Sequence, residues 1–139
     1  MKERNANEAL EMNSLGRLVV LVPDYDEAIQ FYVGVLGMRI IADIPAGALR
    51  FVHLGFAAEP SIGLWLLKAT TAEQKARVGN QTGGQPLAVI YTADLHAESD
   101  RLAAKGVQFV LRPTEEADSI YAQFRDIYGN IFVLVQLKA

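Results

Sequence analysis

The chain has 139 residues, of which 51% are apolar, enough for one compact domain with a substantial core and too apolar for a disordered segment. With 13 Lys+Arg against 16 Asp+Glu and no basic cluster, its net charge of −3 offers phosphate backbones nothing, so nucleic acid is not an expected partner. The absence of cysteine excludes disulfides, thiol nucleophiles and thiolate metal sites. No run approaches the roughly 18 apolar residues of a spanning helix, so a cytoplasmic protein without membrane contact is expected.

Residues 1–13 read as a polar arm ahead of a single domain at 14–139. A β-branched strand at about 17–22 exits at Pro23, which cannot donate to a ladder. Asp24 is a helix N-cap with Glu27 three residues on, and Ala28, Phe31, Tyr32, Val35 and Leu36 form one apolar stripe that closes at Gly37. Strands follow at about 38–43, 48–55 and 61–68, completing a first module over 14–69. The segment 70–85, with Gly79-Asn80 and Gly83-Gly84 and a helical turn near Ala72–Arg77, is a linker and is expected to act as a flexible lid or hinge.

The same order then repeats over 86–139. A strand at 86–92 leads to Asp94 and a helix ended by Gly106, and strands follow near 107–111, 119–125 and 131–137. Between the last two, Asp126-Ile-Tyr-Gly-Asn130 reads as a tight turn in which Gly129 and Asn130 supply positive φ. Two copies of a βαβββ unit imply an α+β fold in which paired modules build a shared cavity.

Val22-Pro-Asp24 with Ala28, Phe31-Tyr32 and Leu36-Gly37 resembles the module-one signature of the vicinal-oxygen-chelate superfamily, which includes glyoxalase I, extradiol dioxygenases and the fosfomycin- and bleomycin-resistance proteins. Phe124-Arg-Asp126-Ile-Tyr-Gly129-Asn130 is similar to that superfamily's closing hairpin. The resemblance spans about residues 17–137. It implies eight strands around an open barrel-like cleft with the helices outside, and commonly a homodimer whose cavity is completed or swapped between chains. It also implies four positions at which metalloenzyme members carry ligands. Here Arg17, Leu87 and Val133 occupy three of them, and the fourth falls in the Ile62–Leu66 strand, which has no coordinating side chain. No metal and no other cofactor are expected.

Strand alternation selects the residues that could line the cleft. Phe51 and His53 oppose Val52 and Leu54; Tyr121, Gln123 and Arg125 oppose Ile120, Ala122 and Phe124; Arg17, Val19 and Leu21 oppose Leu18, Val20 and Val22. With Trp65, whose strand is apolar on both faces, and Tyr91, the candidate ligand-binding set is Arg17, Phe51, His53, Trp65, Tyr91, Tyr121, Gln123 and Arg125. Phe31 and Phe132 are assigned to the core, and His96 to the surface. Glu115, Glu116 and Asp118 are adjacent loop carboxylates with no histidine or lysine at a pairing distance in sequence, so no catalytic residue can be named. Three functions stay open: a metal-independent small-molecule binder of the bleomycin-resistance type, a lyase or dioxygenase-like enzyme in which His53 or a carboxylate acts as base or recruits a metal, and a partner-binding module with a vestigial cleft.

Overall fold

The computed structural model describes residues 5–139. The first four residues of the expected arm lie outside that range. The rest of the arm contains a short helix, α1 (Ala6–Glu11), capped by Asn5, whose Oδ1 accepts from the Glu8 amide at 2.8 Å. No residue of α1 is buried, and Leu10, Met12 and Leu15 stand exposed around it.

The first half runs β1 (Arg17–Val22), α2 (Tyr25–Tyr32), β2 (Arg39–Ala46), β3 (Leu49–Phe56) and β4 (Glu59–Lys68). After α3 (Ala72–Arg77) the order recurs as β5 (Pro86–Tyr91), α4 (Leu95–Ala104), β6 (Phe109–Glu115), β7 (Ser119–Arg125) and β8 (Ile131–Leu137). The fold is α+β, two βαβββ modules, each with its own four-stranded sheet. The strand orders are β1-β4-β3-β2 and β5-β8-β7-β6, with β1 parallel to β4 and β5 parallel to β8. The eight strands do not close into a barrel.

The local signals that start and stop the helices act as expected. Asp24 and Asp94 accept from the amides of Glu27 and Ala97 at 2.9 and 3.0 Å, satisfying amides that the first helical turn leaves without a partner. Gly37 and Gly106, at φ 84° and 86°, end the turns that follow α2 and α4. The α-helical part of α2 stops at Tyr32 and continues as tight turns, closed by the Met38 amide donating to the Tyr32 carbonyl at 2.9 Å. β6 runs to Glu115, past the predicted end at 111, because Pro113 lies in an edge strand where a missing N–H costs no ladder bond.

One core serves both modules. Val20, Val22, Val52, Leu54, Leu64 and Leu66 cover its first sheet, and Ile120, Ala122, Phe124, Phe132 and Leu134 its second; Phe31 and Tyr32 of α2 and Leu95 and Leu102 of α4 fill the space between. The Tyr32 ring meets Phe132 edge-on at 6.0 Å. Arg101 Nη1 and Lys105 Nζ donate to the Val35 and Gly34 carbonyls, tying the end of α4 to the turn after α2. The helices therefore lie between the sheets rather than on the outside. Each sheet turns one face to this shared core and directs the other away from it.

Two polar devices fix the modules to each other. Asp126, only 5% exposed, accepts from the Tyr32 hydroxyl, from the Tyr128 and Asn130 amides at 2.9 Å each, and from Asn130 Nδ2 at 2.8 Å. Burial first, and the Asp126 carboxylate next, hold the Tyr32 phenol well above its ordinary pKa. In this turn Gly129 has φ 105°, but Asn130 does not adopt the expected positive φ; its value is its amide, which serves the buried carboxylate. The second device is Gln81 in the linker. Its Oε1 accepts from the Leu21 amide at 2.6 Å and its Nε2 donates to the Val19 carbonyl at 3.0 Å, so a side-chain amide occupies the free edge of β1 as a paired strand would. Gly79 lies against the carbonyl of Tyr128. Within the linker, Gln81 is thus held to the first module and Gly79 lies against the second.

Candidate functional site

The outward face of the first sheet gathers Arg17, Phe51, His53 and Trp65. Alternation places Phe51 and His53 opposite the buried Val52 and Leu54. Pairing settles Trp65, which sits across from Val19 on β1 and from His53 on β3. The three rings form a cluster, with centroids 5.7 Å apart for His53–Trp65, 6.1 Å for Phe51–Trp65 and 6.4 Å for Phe51–His53. Arg17 reaches this cluster across the whole width of β4. Its register partner there is Gly63, which has no side chain to obstruct the guanidinium, and Arg17 Nε donates to His53 Nδ1 at 3.0 Å. Arg17 Nη1 donates to the Gly16 carbonyl at 2.8 Å and the Ser61 carbonyl at 3.2 Å, which holds the group in place. Arg17 does not fray into solvent.

These contacts define the state of His53. Burial, and then the neighbouring Arg17 charge, lower its pKa from the ordinary 6.5, so the ring is neutral at pH 7. Because Nδ1 accepts from Arg17, the proton sits on Nε2. That Nε2, like Trp65 Nε1, is buried without a hydrogen-bond partner.

The outward face of the second sheet holds the other four candidates. Tyr121, Gln123 and Arg125 alternate with buried Ile120, Ala122 and Phe124 on β7, and Tyr91 is 70% exposed on edge strand β5. Tyr121 donates weakly to Glu116 Oε1 at 3.4 Å, and Arg125 Nη1 donates to the Gly129 carbonyl at 3.0 Å. Among the described residues, no aromatic contact or hydrogen bond joins these four to the first set. Within a single chain the candidates therefore fall into two separate groups on two sheet faces, where the sequence suggested one cleft. Clefts of about 420 and 290 Å3 do lie between the modules, but of the eight candidates they include only Tyr91 and Arg125.

Sequence reasoning missed the apolar surround of both candidate groups. Ile41, Ile44 and Val19 are exposed on the first sheet, and Val89 and Leu137 on the second. The signal was present in β1 and β8, which are apolar on both faces although alternation buries only one of them in the core.

The residues at the superfamily's metal positions do not suit a metal. Arg17 is a cation committed to His53, Leu87 and Val133 have no donor atom, and β4 contributes Gly63 and Trp65. Among the described residues, no group of three His, Cys, Asp or Glu side chains converges.

A family model of the Glyoxalase/Bleomycin resistance protein/Dioxygenase superfamily matches residues 14–134, and the chain belongs to that superfamily. It is 34% identical over 127 residues to an uncharacterized protein of Shewanella frigidimarina, covering 90% of this chain and 94% of that one. It is 28% identical to a probable lactoylglutathione lyase of Synechocystis over 87% of this chain and 93% of the relative. Among solved structures, UcmS2 matches with a TM-score of 0.79 at 29% identity, covering 88% of this chain and 97% of UcmS2. TnmS3, an antibiotic binding protein from Streptomyces sp. CB03234, matches with a TM-score of 0.76 at 24% identity, covering 91% and 98%.

Proposed function

We propose that the protein binds a small organic molecule without a metal, in a cleft formed where the first-sheet face of one copy meets the second-sheet face of another. The observation that carries this reading is the division of aromatic and polar candidates between two outward faces, each ringed by exposed apolar side chains such as Ile44 and Val89. Apolar surface of that kind is seldom left open to water unless it serves an interface or a ligand. Apposing the two faces would give Phe51, Trp65, Tyr91 and Tyr121 a common pocket, with Gln123 and Arg125 to orient a ligand. The same fold carries antibiotic binding in TnmS3, and binding or sequestration of a drug or metabolite is the corresponding role here, in a cytoplasmic setting that the lack of cysteine suits.

Catalysis is less well supported. The one histidine of the candidate set has its Nδ1 lone pair engaged by Arg17, and among the described residues neither Glu115 at the end of β6 nor Glu116 or Asp118 after it hydrogen-bonds that ring. The test is a thermal-shift screen of aromatic natural products and drug-like compounds, followed by NMR mapping of the hits. Stabilising ligands should perturb residues of both sheet faces at once. Hits that map only to the clefts between the modules would overturn the reading.

A further inference from the structure

The first-sheet half-site is built almost entirely of donors. Arg17 has a guanidinium fixed by two backbone carbonyls and by His53, and its Nη2 has no partner among the described residues. His53 presents Nε2–H and Trp65 presents Nε1–H, and both are buried and unpaired. Among the described residues, no acidic side chain hydrogen-bonds any of the three. Unpaired buried donors are costly in a finished fold, and two of them side by side next to a fixed guanidinium call for an acceptor. Both nitrogens are covered in the free chain, and Phe51, 47% exposed, packs beside both rings at the outer edge of the cluster. Gly63 is what lets Arg17 cross β4 to join the group.

We propose that this cluster recognises an anionic oxygen, a carboxylate on an aromatic ligand, with Arg17 supplying the charge and His53 and Trp65 the directed hydrogen bonds. The inference rests on the small-molecule reading above and specifies the ligand class. A guanidinium stands at a position where metal-dependent relatives carry a metal ligand, and fixed donors rather than a bound cation attract the ligand's oxygens. The flat rings of Phe51 and Trp65 hold the aromatic body.

The experiment titrates the wild-type protein with 2-naphthoate and, separately, with its methyl ester. Trp65 is the sole tryptophan, so its indole N–H gives one NMR signal, and the His53 ring gives a second reporter. Binding of the acid should shift both signals saturably, with a dissociation constant about tenfold or more below that of the ester. Arg17→Met should abolish the preference; if that variant does not fold, the wild-type comparison of acid and ester decides alone. An ester that binds as tightly as the acid, or an acid that shifts neither Trp65 nor His53, overturns the inference. The binding reading survives that result if neutral screening hits still map to the sheet faces, and falls with it if they do not.

Discussion

Burial separates residues that sequence alone ranks alike. Phe31 and Phe132 are core rings, at 5% and 2% exposure, whereas Phe51 is half exposed. Replacing either core ring with Ala should cost about 3–5 kcal/mol, and Phe51→Ala clearly less; urea denaturation measures the difference, and equal losses would contradict the face assignment. His53 adds a dependence on pH. Its folded pKa is lowered, so the unfolded chain takes the proton first; the stability His53 contributes is complete above the unfolded value and is lost as pH falls through it toward the folded one. Denaturation between about pH 7 and 5 should show that loss, with a shallower slope for His53→Gln; an unchanged slope would contradict it. The orientation of Tyr121 and Gln123 was legible because β7 alternates strictly between apolar and polar, and that of His53 because Val52 and Leu54 flank it on the opposite face. That of Trp65 was not, since β4 is apolar on both sides, and only its register with Val19 and His53 fixes it.

Short-range patterns specify the elements, while the contacts that join them come from residues whose sequence signal is ambiguous. The caps at Asp24 and Asp94 and the stops at Gly37 and Gly106 could be read directly, because each depends on neighbours within one helical turn. Asp126 and Asn130 were read as turn formers, and their larger role needs Tyr32, more than ninety residues away, which no local pattern reveals. Gln81 was likewise hidden in a segment that reads as a loop. The Asp126 carboxylate accepts four hydrogen bonds in a buried setting, so Asp126→Ala should destabilise by about 3–5 kcal/mol, and Tyr32→Phe by about 1–2. Chemical denaturation of the two variants and their double mutant checks this. A Tyr32→Phe loss that adds fully to that of Asp126→Ala would show that the pair is not coupled.

At the scale of the molecule, the repeat announced two modules but not which faces would be shared. Each sheet has one face that must be buried, and the sequence cannot tell whether the helix covering it also packs on the other module. The structure places both helices between the sheets, and this leaves the two groups of candidate residues on separate faces. Because Arg17, Leu87, Val133 and β4 offer no metal donors at the superfamily's metal positions, EDTA should leave the melting temperature unchanged; a fall that one added divalent metal restores would contradict this. Whether two copies complete one cleft is answered by sedimentation equilibrium. The expected mass is twice the 15.2 kDa of one chain, reduced to the single-chain value by Phe51→Arg with the circular dichroism spectrum unchanged. A wild-type protein that remains at the single-chain mass at every concentration, with both faces open to solvent, would contradict it.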